Sequence, residues 1–263
     1  MSTRRPTLTA AVIARDEEHM LAQCLETLRF ADERLVLVDA ATRDKTREIA
    51  RACGARVEER AFDNFAAQRQ AALRLARGEW VLFVDADERV STALRDEITS
   101  MLAARDDRHA FWIPRDNYIL GRLVRHAGWY PDYQLRLLNR EFARMDPQRV
   151  VHERALVDGP VGHLHGAFIH YNYSSFGDLL RKQQRYSQLE AERWLLTYGR
   201  PRRRALIGQP AREFWRRFVI LGGYRDGPIG LLLSLVMAWY AGRAVWLALK
   251  LTSLRAPATV RPS

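Results

Sequence analysis

Along the first hundred residues, short β-rich runs alternate with segments of helical periodicity, and this alternation restricts the fold more than any other feature. The strand candidates are Leu8–Ala14, Leu35–Ala40, Arg56–Ala61 and Trp80–Ala86. Between the first two, Met20, Leu21, Cys24, Leu25 and Leu28 share one helix face. Asn64 or a neighbour is placed to cap a later helix that ends at Gly78. The predicted order is β-α-β-α-β-α-β, an α/β fold with a mixed, mostly parallel sheet flanked by helices. At 263 residues the chain is long enough for one such domain of roughly 200–250 residues with an appendage.

The pattern changes from residue 110. Strand-like segments rich in aromatics follow at Ala110–Ile119, Tyr133–Asn139, Val151–Val157 and Ala167–Tyr173, suggesting a sheet extension that closes over a cleft. From Ser174 the sequence reads as helical to about Tyr198, breaks at Arg200-Pro201-Arg202-Arg203-Arg204 and resumes near Pro210. Domain boundaries are therefore expected at 1–199 for the catalytic α/β domain and 200–263 for a basic, apolar helical tail. Cys24 and Cys53 have neither disulfide nor metal-ligand spacing and read as reduced core residues. No apolar signal-peptide core follows the N-terminal charges, so a cytoplasmic location is expected.

Val81-Leu82-Phe83-Val84-Asp85-Ala86-Asp87-Glu88 is the strongest local signal for chemistry: an apolar strand ending in two carboxylates two residues apart. In open α/β sheets ligands bind at the carboxyl ends of strands, and paired carboxylates there suit a hard divalent cation bridging a diphosphate. A lone Asp-x-Asp also occurs in solvated turns, so its context decides.

That context is a set of ordered motifs: Val12-Ile13-Ala14-Arg15-Asp16-Glu17-Glu18, Leu37-Val38-Asp39-Ala40-Ala41-Thr42-Arg43-Asp44-Lys45-Thr46, Gln68-Arg69-Gln70, Asp85–Asp87, Gly128-Trp129-Tyr130-Pro131-Asp132-Tyr133-Gln134-Leu135-Arg136-Leu137, Val151-His152-Glu153 and His170-Tyr171. Over residues 7–190 the chain resembles family 2 glycosyltransferases of the GT-A fold, in particular bacterial lipopolysaccharide-core β-glucosyltransferases. Asp16 stands where that family usually has Asn, and Ala40-Ala41-Thr42 where it usually has Ser-Gly-Ser.

The resemblance implies that Asp39 accepts from the imide of a uracil-type base and that backbone around Ala14, with Arg15 and Glu17, lines the nucleotide pocket. It further implies that Arg69 holds the nucleotide, that Asp85 meets the ribose or a metal-bound water, and that Asp87 binds Mg²⁺ or Mn²⁺. Among His152, His163, His165 and His170, His170 best fits a residue completing the metal shell, with a structural role as the alternative. Arg136 is a candidate for neutralising diphosphate, or else a structural ion pair. Inverting transfer needs one carboxylate to deprotonate the acceptor hydroxyl; Glu153 is the expected base and Asp132 its rival.

The net charge of +11 arises entirely after residue 177. Residues 1–177 hold 26 basic and 26 acidic side chains, whereas residues 178–263 hold 16 and 5. Sixteen uncharged residues, Gly227–Gly242, lie between Asp226 and Arg243, fewer than the roughly 20 a spanning helix needs. Flanked by arginines, and with Trp215, Trp239, Tyr240 and Trp246 suited to the headgroup level, this run reads as an interfacial or re-entrant anchor to an anionic membrane surface, with a buried packing helix as the alternative. The expected partners are a nucleotide-sugar donor, a UDP-hexose, and a lipid-linked saccharide acceptor at the inner face of the plasma membrane. A polyprenyl phosphate is the alternative acceptor. Nucleic-acid binding is disfavoured, because the basic charges flank an apolar run. A nucleotidyltransferase would want a Gly- and Lys-rich phosphate loop that residues 9–20 lack.

Overall fold

A computed structural model describes residues 5–104, 106–146, 155–173 and 175–255. The chain forms two compact units, one of Met1–Asp116 with Pro131–Tyr171 and one of Asn117–Tyr130 with Asn172–Ser263.

In the first unit β1 (Leu8–Ala14), α1 (Leu21–Thr27), β2 (Glu33–Asp39), α2 (Thr46–Ala52), β3 (Arg56–Arg60), α3 (Phe65–Leu75) and β4 (Trp80–Asp85) follow the alternation expected from the sequence. Strands β3, β2, β1 and β4 lie side by side and parallel. Every second residue of β1 enters a different core. Leu8, Ala10, Val12 and Ala14 pack with Cys24, Leu25, Val36, Leu82 and Val84 on one face, while Ala11 joins Leu35, Leu37, Ala72, Val81 and Phe83 on the other. A sheet buried on both sides needs apolar residues at consecutive positions, which is why these strands read as unbroken runs. Asn64 does cap α3, accepting the Ala67 N–H at 2.8 Å, although the helix ends at Leu75, before Gly78. Gly78 lies against β1, where a Cβ would come within 2.6 Å of the Thr9 nitrogen.

After β4 come β5 (Glu88–Val90), α4 (Thr92–Ala104), β6 (Ala110–Ile119), β7 (Arg122–Val124), β8 (Asp132–Asn139), β9 (Ala143–Met145), β10 (Ala155–Val157), β11 (Val161–His163) and β12 (Phe168–Tyr173). The sheet continues from β4 through β8, β6 and β12 to β5, with antiparallel pairing β4–β8, β6–β8 and β12–β5. Its parallel half is thus extended by an antiparallel half. The first part of the Val151–Val157 strand prediction lies outside the described residues; its end is β10, which pairs with β9. Cys24 is buried in α1, and Cys53, at the C-terminal end of α2, packs partly buried on the same core.

The second unit holds α5 (Phe176–Tyr198), α6 (Ala205–Trp215) and α7 (Gly227–Arg255). Ser175 caps α5 by accepting the Asp178 N–H at 3.1 Å. Helix α6 starts at Ala205, not near Pro210, and Pro210 lies inside it. A π-helical stretch, Arg216–Ile220, and a 3-10 turn, Gly223–Asp226, lead into α7. Ile119, Val124, Tyr173, Leu179, Ile229, Leu233 and Val236 form its core. The α7 helix runs straight through Arg243 and Lys250, and the stretch Gly223–Thr252 is long and apolar enough to cross a membrane by length and composition. Counting only the uncharged run in the sequence understates it.

Candidate active site

Parallel register sets the site. Ile13 of β1 pairs with Asp85 of β4, and Ala14 pairs with Val38, one residue before Asp39. The carboxyl ends of β1, β2 and β4 thus bring Ala14, Asp39 and Asp85 to one rim, the location where open α/β sheets bind ligands.

Asp39 is 3% exposed. Its Oδ1 accepts the Ala41 N–H at 3.0 Å and its Oδ2 lies 3.2 Å from Nη1 of the more exposed Arg15. Arg47 secures the loop that follows by donating to the carbonyls of Asp39, Ala40 and Thr42 at 3.3, 3.2 and 2.7 Å. Asp16 adopts φ +53°, a left-handed conformation that Asn and Asp tolerate better than other side chains. This accounts for Asp in place of Asn. Asp16 Oδ1 accepts the Arg43 N–H at 2.7 Å, while the N–H groups of Glu17 and Glu18 donate to Thr46 Oγ1 and Asp44 Oδ2 at 2.8 and 2.9 Å. The first two motifs are therefore one clasp. Burial pushes the Asp44 pKa upward, but hydrogen bonds from the Thr46 side chain and from the Glu18 and Thr46 N–H groups outweigh it and hold the carboxyl below its usual range.

Asp85 receives three guanidinium groups. Arg136 donates to both carboxylate oxygens, at 3.1 and 2.6 Å, Arg69 reaches Oδ1 at 3.3 Å, and Arg115 reaches Oδ2 at 3.0 Å. Desolvation in this pocket acts to raise the Asp85 pKa, but Arg136, Arg69 and Arg115 together drive it well below the carboxylate range. Arg115 also places Nε 2.6 Å from Oε1 of fully buried Glu88 and Nη1 3.7 Å from Asp132 Oδ2. Glu88 Oε2 accepts the Asp85 N–H at 2.8 Å, closing the turn. Burial raises the Glu88 pKa despite Arg115. Arg89 holds the same turn from below, donating to the carbonyls of Ala86 and Glu88, both at 2.8 Å, and to Met20 of the α1 segment at 3.0 Å.

Asp87 meets β12. Its Oδ2 lies 3.4 Å from His170 Nε2, and its carbonyl accepts the Tyr171 N–H at 3.0 Å. One carboxylate and one imidazole are donors whose chemistry suits Mg²⁺ or Mn²⁺, and these two residues would hold such an ion. Among the described residues there is no group of three or more His, Cys, Asp or Glu side chains that could hold a metal. Of the other histidines, His163 packs on Trp112 and Tyr133, and His165 offers its backbone N–H to Glu97. Neither joins Asp87. His152 and Glu153 lie outside the described residues. Asp132, the rival base, accepts from Gln134 Nε2 at 2.7 Å.

Sequence reasoning missed Asp44, Thr46, Glu88, Arg89 and Arg115. A charged residue at Arg115, in the middle of an otherwise strand-like run, was the available signal.

The glycosyl transferase family 2 profile matches residues 9–156. The chain is 30% identical over 245 residues to a lipopolysaccharide core biosynthesis glycosyltransferase, LpsC, of Rhizobium meliloti, covering 89% of this chain and 88% of that protein. An uncharacterized glycosyltransferase of Rickettsia bellii is 23% identical over 242 residues, 88% of this chain and 82% of its own length. Among solved structures, residues 1–349 of S. aureus TarS in complex with UDP-GlcNAc superpose with a TM-score of 0.49 at 14% identity, covering 92% of this chain and 83% of that one. With the profile spanning more than half of the chain, and a relative at 30% identity aligned over most of both lengths, the chain belongs to glycosyl transferase family 2 and has its GT-A fold.

Proposed function

We propose that the chain is an inverting, metal-dependent hexosyltransferase moving glucose from a UDP-sugar to a sugar hydroxyl of a lipid-linked acceptor such as lipopolysaccharide core. One observation carries the chemistry: Asp39 and Asp85 stand on one strand-end rim, with Arg69, Arg115 and Arg136 gathered around Asp85 and with Asp87, two residues on, beside His170. The acceptor class is supported by the relative named for lipopolysaccharide core biosynthesis.

In this reading Asp39 accepts from the uracil imide, with Arg15, Glu17 and the backbone of Ala14 framing the base. Asp85 aligns Arg69, Arg115 and Arg136, and those guanidinium groups offset the charge of the diphosphate as it leaves. Asp87 and His170 would hold Mg²⁺ or Mn²⁺, which supplies Lewis-acid stabilisation of the leaving group when bound. Glu153 takes the proton from the acceptor hydroxyl, and attack from the face opposite the diphosphate gives a β-linkage from an α-linked donor. The tail, residues 200–263, rests on the anionic inner face of the plasma membrane, where Arg202, Arg203 and Arg204 face lipid headgroups.

The test is a screen of the full chain against a panel of nucleotide sugars with Mg²⁺ or Mn²⁺, followed by mass spectrometry. UDP-glucose should be consumed, and chelation should stop consumption. Full turnover in chelator, or turnover confined to donors lacking uracil, would overturn the reading.

A further inference from the structure

The second unit contains an apolar groove that the transfer reaction does not use. It has a volume of about 390 Å³ and is lined by Leu206 and Pro210 of α6 and by Trp239, Gly242, Arg243 and Trp246 of α7. Its shape follows from the α7 sequence. Trp239 and Trp246 are seven residues apart and so lie on one helix face two turns apart, with Gly242 and Arg243 between them. The missing side chain at Gly242 lets α6 come close: a Cβ there would meet Pro210 Cγ at 2.8 Å. The result is a notch floored by Gly242 and Pro210 and bordered by two indoles that remain 73% and 49% exposed.

Volume and lining fit a hydrocarbon ligand, since small-molecule sites are mostly apolar cavities of about 300–1,000 Å³ with few polar groups. Arg243 is the single charged residue of the lining, and its Nε donates to Ser187 Oγ at 3.1 Å. Just before the start of α6 at Ala205, the exposed side chains of Arg202, Arg203 and Arg204 meet no carboxylate among the described residues. An apolar slot on a helix pair whose α6 begins just after three guanidinium groups without a carboxylate partner among the described residues matches one molecular shape, an acyl chain joined to an anionic headgroup.

We propose that this groove binds an acyl chain of an anionic membrane phospholipid, with Arg202, Arg203 and Arg204 at its phosphate. The inference deepens the membrane reading above and rests on it. A bound chain converts adsorption of the tail into a located contact, because the lipid enters at one place on the α6–α7 pair.

The experiment uses the full chain and, as probe, 1-myristoyl lysophosphatidylglycerol below its micellar concentration, with binding read by calorimetry. Saturable one-to-one binding is expected. Leu206→Trp, which fills the groove, should weaken it about tenfold, the effect of denying burial to two methylenes. Trp239→Asp, a change at an exposed rim position, serves if Leu206→Trp fails to fold, and circular dichroism checks both. Replacing Arg202, Arg203 and Arg204 together by Gln should weaken binding and flatten its salt dependence. Sedimentation with phosphatidylcholine vesicles containing phosphatidylglycerol reads the membrane contact separately. Vesicle binding without a saturable lysolipid site, or undiminished lysolipid binding by both groove variants, overturns the groove. Saturable lysolipid binding without vesicle binding keeps the groove and overturns the membrane reading, making the occupant the chain of a lipid presented singly.

Discussion

Asp226 holds His126 at two points: its Oδ2 accepts the His126 N–H at 2.8 Å and its Oδ1 lies 2.9 Å from His126 Nδ1. The same carboxylate accepts the Arg125 N–H at 3.3 Å, and Arg217 donates to the Ala127 carbonyl at 2.7 Å while its guanidinium lies 5.9 Å from the Trp129 ring centre. The turn leading into α7 therefore braces the loop that carries Gly128, Trp129 and Tyr130. Deleting the helices to test membrane attachment would strip this loop of its supports, so point changes at exposed tryptophans are the cleaner probe.

Asp226→Ala should free that loop. Losing the acceptor of two backbone N–H groups in a largely buried position costs about 1–3 kcal/mol. Hydrogen exchange followed by mass spectrometry should show faster exchange at Arg125 and His126, with β1–β4 unchanged. Equal protection in the variant would mean that the brace contributes nothing.

Asp85 and Asp87 are two residues apart and should fail differently. Asp85→Ala removes the carboxylate that Arg69, Arg115 and Arg136 share, leaving Arg115 its contacts with Glu88 and Asp132, at a cost of about 2–3 kcal/mol, below the 3–5 of a fully buried pair because part of the carboxylate is open to solvent. Its melting temperature should fall. Asp87→Ala should melt close to the wild type yet lose metal-stimulated UDP binding, and His170→Ala should weaken the metal response less. Activity of Asp87→Ala above a tenth of the wild type would remove Asp87 from the metal site.

The clasp between the first two motifs should appear as an acid-limb effect. Asp44 has a folded pKa below its unfolded value of about 3.9, so it binds protons more weakly when folded. Its contribution is complete above that value and is lost as the pH falls through the folded pKa. Denaturation of wild type and Asp44→Asn should thus differ most near neutrality and converge below about pH 3.9. A constant difference across that window would show that the hydrogen bonds, not the charge, carry the effect.

What could be read from the sequence was what is local in it. An apolar run ending in Asp85 and Asp87 announces both a strand and its chemistry within eight residues, and the same holds for Asp39 after Leu37-Val38. Arg115 was not legible, because it acquires its meaning from the antiparallel pairing of β6 with β8, which sets it opposite Asp132. The brace between His126 and Asp226 spans 100 residues and has no local signature. Other misses were avoidable. Leu94, Ile98, Met101 and Leu102, the buried stripe of α4, have plain helical spacing. At α6 the helical pattern is expected to resume near Pro210, whereas the helix begins five residues earlier, at Ala205.

The identity of the general base decides the acceptor type. If Glu153 deprotonates a sugar hydroxyl, Glu153→Gln keeps the shape but removes the base, and turnover should fall roughly 10²–10⁴-fold. UDP affinity should barely change, since Asp39, Asp87 and the arginine cluster are untouched. Asp132→Asn controls for the rival, whose carboxylate already accepts from Gln134 and lies within 3.7 Å of Arg115. Those contacts engage both oxygens of the Asp132 carboxylate. If Asp132→Asn alone lowers turnover while sparing UDP affinity, the base is Asp132. A lipid phosphate acceptor arrives already ionised and needs no base, so both variants would then turn over at near-normal rates. That result would replace the hydroxyl acceptor with a polyprenyl phosphate.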